Sequence, residues 1–590
     1  MSSNDRDDSR HPRDKGTTRP SRRKFLTSGA AAGAATLAGL AQAAPQAAQG
    51  PARVRWNREV DVVVIGAGAS GLPAAIAARD RGASVLLVEQ HFDIGGIAIM
   101  SGGNLTLGGG NRVQKKKGIE DSPDLVFAEW TRPDRNTTKF NDRDLVRKFA
   151  DESVATYEFL DANGVEWEEV PVVPAANERS GRGQADGETE SAAPSLPGVP
   201  SIERHLQSKE WPNRNEIIAP DQGRNGSGIV RALERSARKK GVEILLSHKM
   251  LDLVREGTNP GRVVGTTVVR VDRDFNPTKE TVNIRARKGI ILCCGGHGNT
   301  VELRRIFDPR LTEEYHWHGH VVAPANGDGA RLAMGLGASL WATANQTAEA
   351  GAAFDKGRLG TRDNYTRGRI SPESSVFFRA RATGQNVANW QDLILVKENG
   401  RRFYSELDST YPGYFAHAMA WSGDPAKLNG GGPIWAIFDS AAVQREKLST
   451  EPPFVDREGG YFFSGDTLEE VASRLQRNPH QWRPMPGRAL RETVERFNSF
   501  VDTGVDLDFK RRRPPYKIET PPFYAAWATP CLHDSLTGIR INTKCQVMDI
   551  HGQIIPGLYS AGEAAGGFAL HGLARCTVFG RIAGMEAAKG

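Results

Sequence analysis

Apolar and polar positions along this chain alternate between the two regular periods. Val62–Ile65 is a four-residue apolar run, the mark of a buried parallel strand. The Ala-rich Leu72–Arg79 predicts a helix, and Ala83–Val88 a second strand ending at Glu89. Residues 141–169 carry apolar positions at helical spacing and stop at the Asn163-Gly164 turn. From about 171 to 225 periodicity gives way to Pro, Ser, Gly and Glu. Val172–Pro200 reads as a surface insertion, because a helix (Ile229–Lys240) and a strand (Val242–Ser247) then resume the α/β pattern. Lys288–Gly296 predicts a strand ending in glycines, and 330–338 a helix. From 342 to 518 the chain is rich in aromatics and short turns. The expected fold class is α/β.

The joint between the first strand and first helix carries the clearest chemistry. Gly66, Gly68 and Gly71, with Ala69 and Ser70 between the last two, form G-x-G-x-x-G. The first glycine turns the chain, the second lets backbone touch a pyrophosphate, and the third packs helix on sheet. The helix start then offers unpaired N–H groups to phosphate. Glu89 stands 18 residues past Gly71, where an acid accepts bonds from ribose hydroxyls. A dinucleotide site is expected here.

Composition adds bounds. A chain of 590 residues, 39% hydrophobic and 25% charged, is an ordinary globular composition. Net charge is +7, but residues 1–50 hold eight Lys/Arg against four Asp, so only +3 remains for the rest and no nucleic acid is expected. Five irregularly spaced cysteines give no disulfide framework, zinc pattern or C-x-x-C-H haem site, and Cys293 and Cys294 read as small buried residues. Past residue 50 no stretch is long and apolar enough to cross a membrane. Ser21-Arg22-Arg23-Lys24-Phe25-Leu26, an Ala/Gly-rich run and Ala41-Gln42-Ala43 read as a twin-arginine signal, cleaved near Ala43/Ala44, with residues 1–50 forming this signal and a disordered N-terminus. The expectation is export by the twin-arginine machinery to the periplasm. His316, His318 and His320 alternate and on a strand would share a face, which raises a metal reading. No carboxylate or cysteine cluster accompanies them, so no metal is expected; they read as surface histidines or as a loop lining a cavity.

Further glycine segments follow: Gly95-Gly96, Ser101-Gly102-Gly103-Asn104 and Gly108-Gly109-Gly110. On these the chain resembles the FAD-dependent fumarate reductase/3-ketosteroid dehydrogenase superfamily, with Leu107–Asp124 closer to the steroid-dehydrogenase-like branch. Gly295-Gly296, Asn326-Gly327-Asp328-Gly329 and Gly400-Arg401-Arg402-Phe403-Tyr404-Ser405-Glu406 match its segments in order. So do Ile555–Glu563 with Gly562-Glu563, Gly566-Gly567 and Thr577-Val578 leading into Phe579–Gly584. The resemblance implies a glutathione-reductase-like, Rossmann-type FAD domain over 58–341 and 519–590, with an inserted α+β capping or catalytic domain over 342–518. The chain would return to the flavin domain at Pro522-Phe523-Tyr524-Ala525. It implies FAD on these glycine segments, on Glu89, Asp328 and Glu563, and on a C-terminal helix whose start points at the isoalloxazine. FAD is expected to be non-covalent, as no His stands within 95–110.

The family moves hydride between flavin and a carbonyl-activated C–C bond while a side chain handles the proton. The fumarate reductases carry an Arg proton donor four residues after the Glu of R-F-x-x-E; here Leu407–Tyr414 has none. Their N-R-L-G-G-N clamp loop has no counterpart between Glu563 and Phe579. His533-Asp534-Ser535-Leu536-Thr537-Gly538 keeps only part of the family's His-His-Thr-Met-Gly-Gly. The resemblance therefore points to Tyr411, then Tyr414, as acid–base, as in ketosteroid dehydrogenases, unless both are core aromatics. Arg402, His533 and Arg575 complete the candidate site, Arg575 facing either flavin O2 or a substrate oxygen, with His571 beside it. A cyclic ketone or steroid-like substrate is expected, run in either direction. Reduction of an α,β-unsaturated (di)carboxylate, and an electron-carrying flavoprotein subunit, are the alternatives. A quinone, cytochrome or other carrier would exchange electrons with the flavin.

Overall fold

The computed structural model describes residues 54–133, 138–167, 205–207, 226–258, 261–342, 347–348, 358–363, 370–387, 390–407, 417–421, 431–511, 514–570 and 572–590. Residues Arg55–Gly590 form one compact unit. The signal-like residues 1–50, the insertion 172–200, Tyr411, Tyr414 and His571 lie outside the described residues.

A parallel sheet stands at the centre. Its main path runs Gln546–Met548, Ile554–Ser560, Pro277–Leu292, Arg58–Ile65, Val85–Val88 and Glu243–Leu245, antiparallel only in its first pair, and Val263–Val271 with His248–Arg255 joins Pro277–Leu292 as an antiparallel branch. The period of two decides what covers each face. Val62, Val64, Val85 and Leu87 pack among residues of the helices Gly71–Asp80, Arg143–Ala162, Ser227–Lys239 and Leu573–Ala587. Val63, Ile65, Leu86 and Val88 turn to the other face, covered by the antiparallel strands His248–Arg255 and Val263–Val271 and by the helix Asp328–Gly335. An apolar run buried on both faces is what Val62–Ile65 predicted, and all four residues are buried.

The helix-covered face is held by contact of backbone on backbone. A Cβ at Gly580 would lie 2.2 Å from Ser70 O and one at Gly584 2.1 Å from Ala74 O. The C-terminal helix therefore lies directly on the helix that opens at Gly71, and no larger residue fits between them.

The second body of structure is an antiparallel sheet, in the order Ile394–Lys397, Ile434–Asp439, Phe523–Trp527, Phe462–Gly465. Helices Leu468–Arg474 and Gly487–Thr503 pack on the face carrying Val396, Trp435, Phe463 and Trp527. The expected return to the flavin domain at Pro522 is corrected here. Phe523–Trp527 pairs with two strands of this antiparallel sheet. All five of its residues are buried, so an apolar run alone did not say which sheet it joined.

Candidate functional site

The first turn is built as its glycines require. A Cβ on Gly66, at φ +98°, would meet Cys293 O at 2.3 Å, and one on Gly71 would meet Gly66 O at 1.7 Å. Gly68 differs: its nearest neighbour would be 3.7 Å away, leaving the backbone open to a ligand. Ala69 and Ser70 are buried beside it, and Ser70 supports Gly562, where a Cβ would fall 2.5 Å from the Ser70 hydroxyl. Gly95 N donates to Ala67 O (2.9 Å), tying the second glycine segment to the first. Gly96 has no atom nearer than 4.0 Å to a Cβ, and Gly295 none within 4 Å. Ser101 Oγ donates to Ala98 O and accepts from Gly103 N (3.3 Å), fixing the bend through Gly102.

Glu89 is buried at the tip of its strand. Its carboxylate accepts from Ala67 N (2.7 Å) and His91 N (2.9 Å), while burial pushes its pKa up. Asp328 opens a helix and pairs with Lys249 (3.0 Å). Its turn packs on the end of the long strand, with Gly327 N donating to Gly296 O. Cys293, Cys294 and the other three cysteines are free thiols, and burial raises the pKa of Cys293 and Cys294.

Around Gly296 several segments converge. A Cβ there would lie 2.3 Å from Ser535 Oγ and 3.2 Å from Glu563 Oε2. Ser535 Oγ also accepts from His297 N (3.1 Å), and His297 Nε2 meets Thr537 Oγ1 (3.1 Å). Arg575 is buried and donates to Phe568 O (2.8 Å) and Ser535 O (3.3 Å). Thr577 and Val578 are buried one turn further along the same helix. The start of that helix is not bare: Gly572 N donates to Asp534 Oδ2 (3.3 Å).

These residues fit FAD. Three glycines leave backbone uncovered, a buried carboxylate closes the strand tip, and a buried guanidinium held by two backbone carbonyls stands at the C-terminal helix. FAD would be held by Gly66–Gly71 and Glu89 at the adenosine end and by the Gly295, Glu563 and Arg575 cluster at the other.

The histidines are not on the surface. His316, His318 and His320 are all shielded, His316 and His318 fully so, and the strand they begin is only His316–Trp317. It pairs with Cys531–Asp534, setting His316 opposite Cys531 and Trp317 opposite Leu532. The His318 ring lies edge-on to that of His533, centroids 4.4 Å apart. Trp317 fills the space over Gly298, and Gly319 lies on Ile97. The segment is thus wedged among the flavin-binding turns. His316 Nε2 meets His320 Nδ1 at 2.8 Å, and Asp363 Oδ2 stands 4.0 Å from the same Nδ1. Burial first, then Arg362, drives His320 to about 3, and burial lifts Asp363 to about 7. No three-residue metal cluster occurs among the described residues.

Arg402 belongs to a separate ion-pair cluster. Its guanidinium binds Glu406 (2.7 and 3.0 Å) and Asp506 (2.9 Å), and Arg511 joins Glu406 at 2.9 Å. Sequence reading passed over Asp363, Arg362, His297 and Arg304. The last is a buried guanidinium that donates to Gly298 O, Leu311 O and Thr312 O and so holds the histidine loop. The G-G-H of 295–297 was the one available signal.

Comparison with known proteins matches the FAD binding domain family over residues 61–576. The cytochrome-type fumarate reductase of Shewanella frigidimarina is 27% identical over 546 residues, covering 90% of this chain and 77% of that protein. Urocanate reductase of Eggerthella lenta is 27% identical over 559 residues, 93% of this chain and 77% of that one. The solved structure of 3-ketosteroid delta1-dehydrogenase from Sterolibacterium denitrificans with 1,4-androstadiene-3,17-dione shares the fold. Its TM-score is 0.59 at 20% identity, over 90% of this chain and 100% of that chain. With the match running nearly from the first strand to the C-terminal helix, this chain belongs to the FAD binding domain family and binds FAD.

Proposed function

We propose that this protein is an exported FAD-dependent oxidoreductase acting on CH–CH groups, whose substrate is a cyclic ketone or steroid-like compound with a carbonyl-activated C–C bond. Bound FAD supplies the two-electron exchange of hydride. The chain's own residues bind the substrate carbonyl, exclude water and handle the proton. The carrying observation is the charge pairing of Arg402: its guanidinium faces the carboxylates of Glu406 and Asp506, which offset the charge a substrate carboxylate would need. With no arginine in 407–416 either, the sequence offers Tyr411 and Tyr414 for the proton.

A second reading, reduction of an α,β-unsaturated acid, is favoured by the names of the curated relatives and by Arg575, a buried guanidinium whose hydrogen bonds go to backbone carbonyls. An external electron carrier completes either cycle. The twin-arginine pattern supports export of the mature protein to the periplasm, and Arg22→Lys with Arg23→Lys should leave it in the cytoplasmic fraction.

Anaerobic stopped flow decides between the readings. Photoreduced holoenzyme is mixed with 1,4-androstadiene-3,17-dione, fumarate or urocanate while flavin absorbance is followed. Fast reoxidation by the dienone is expected, slowed at least about a hundredfold in Tyr411→Phe, the lower end of what a positioned acid–base contributes. Reoxidation by fumarate or urocanate alone would overturn the ketone reading. Reoxidation by none of them would leave an electron-carrying flavoprotein.

A further inference from the structure

A buried imidazole, His316, a partly buried one, His320, and a buried carboxylate, Asp363, lie together beside the flavin-binding turns. The usual reason for burying such groups is a completed hydrogen-bond network, because an unpaired buried polar atom is costly. Here completion fails at defined atoms. Among the described residues, His316 Nδ1 has no hydrogen-bond partner, and neither do Asp363 Oδ1 and Oδ2. Yet the other nitrogen of His316 is held at 2.8 Å by His320, so its ring cannot turn to find a partner.

The tautomers follow from the partners. Asp363 Oδ2, 4.0 Å from His320 Nδ1, favours a proton on that nitrogen. His320 Nδ1–H then donates to His316 Nε2, and the proton of His316 is left on Nδ1. The result is a fixed, buried N–H with nothing in the protein to receive it.

We infer that His316 binds the substrate through this Nδ1–H, donating a hydrogen bond to the carbonyl oxygen that activates the C–C bond, with His320 and Asp363 as positioning residues. A neutral imidazole is suited to this role, since it polarises a carbonyl without giving up its proton. The charges around it keep it neutral. His316 feels burial, then His320, Arg362, Arg304 and His480, each acting against a second proton. Arg362 and Arg379 bear on His320, and Arg358 faces Asp363. The location agrees: His316 sits opposite Cys531, on the strand that carries His533 and leads to Ser535 at the Gly296 turn. This inference rests on the proposed CH–CH chemistry and names the residue that recognises the carbonyl.

A test needs no turnover. Oxidised holoenzyme is titrated with 1,4-androstadiene-3,17-dione and the carbonyl stretch of the bound dienone is read by Raman difference spectroscopy. A parallel titration uses urocanate. His316→Phe keeps the ring and removes the donor; His316→Gln keeps a donor. Expected is a lowered stretch in the wild type and in His316→Gln, lost in His316→Phe. Reoxidation of the reduced enzyme should fall about a hundredfold in His316→Phe, the loss of one donor to a developing oxyanion. The same stretch in all three proteins overturns the inference. If the dienone fails to bind but urocanate binds with a His316-dependent shift, the ketone reading falls and the inference stands. If neither ligand binds the wild type, both fall. Should His316→Phe not load FAD, His316→Ala with added imidazole replaces it: restoration of the shift supports the inference, and a shift present without imidazole overturns it.

Discussion

Two buried polar clusters in this molecule use the same residue types to opposite ends. In the antiparallel-sheet region, Arg402, Glu406, Asp506 and Arg511 are almost wholly shielded, and Glu406 accepts from both arginines and from Leu395 N (3.0 Å). In the histidine region, Asp363 is equally buried, but no hydrogen bond reaches its oxygens among the described residues. In the first cluster every charge is paired, two acids facing two guanidinium groups, although Arg402 Nη1 and Arg511 Nε keep no partner. The second is open. A closed network holds a fold together, whereas an open one keeps capacity for something the chain itself does not supply. The pKa directions express the same contrast. Burial opposes the charge on both acids, but Arg402 and Arg511 bring Glu406 down to about 2, while Asp363 is left at about 7.

The largest expected effect comes from opening the closed cluster. Glu406→Ala leaves Arg402 and Arg511 buried without their shared acid, and breaking such a network from one side costs about 3–5 kcal/mol. Urea denaturation of the holoenzyme at pH 7 should show it as a lower midpoint at unchanged slope. The pH dependence has a definite sign. The folded pKa of Glu406 lies below its ordinary value of 4.5, so its contribution is present above that value and is lost as pH falls toward about 2. The wild type should lose stability across this acid window, and Glu406→Gln should lose less there. Unchanged stability in Glu406→Ala would mean that the two arginines find other partners and that the cluster is not closed.

Asp363 should behave in the opposite way. Its folded pKa lies above its ordinary value of 3.8, so the folded state holds the extra proton and stability declines as pH rises from about 4 to about 7. A rise of that size sets an upper bound of roughly 4 kcal/mol, reduced by any relaxation around the charge. Asp363→Asn removes the ionisation and should be about 1–3 kcal/mol more stable than the wild type at pH 8, with little difference at pH 5. Denaturation midpoints at the two pH values check this. A less stable Asp363→Asn at pH 8 would show the carboxylate to be satisfied in solution and would remove the contrast.

What could be read from the sequence divides along the same line. The nucleotide-binding half was legible because its rules are local. Gly66, Gly68 and Gly71 lie within six residues, and each position follows from how close backbone must approach backbone or ligand. Residues 143–162 announced their helix by spacing and their stop by Asn163-Gly164. The open cluster was not legible, because its members come from separate segments: His316 and His320 from one loop, Asp363 from 361–363. No local pattern marks Asp363, and the alternation of the histidines pointed to a strand face when only His316–Trp317 is strand. Phe523–Trp527 failed for a related reason: a run buried on both faces looks the same in either sheet. Arg402 lay within a recognised segment, yet its direction depended on Asp506, more than a hundred residues away.

The smallest effect tests whether the closed cluster is one unit or a sum of pairs. Asp506 accepts from Arg402 through Oδ2 (2.9 Å), while its Oδ1 accepts from Asp508 N (2.9 Å) and Phe509 N (3.1 Å). Asp506→Asn keeps the amide oxygen for the two backbone donors and removes only the charge facing Arg402. Because Glu406 still holds Arg402 by two hydrogen bonds, the loss should be about 1 kcal/mol, that of one hydrogen bond to a charged group weakened rather than broken. Combined with Glu406→Gln, the two substitutions should not add, since each changes what the same guanidinium needs from the other. A double-mutant cycle at pH 7 measures the coupling, expected at about 0.5 kcal/mol or more for residues sharing a partner. Strict additivity would mean that Arg402 makes two independent ion pairs, and the contrast with the histidine region would then rest on occupancy alone, without cooperation among the members of the network.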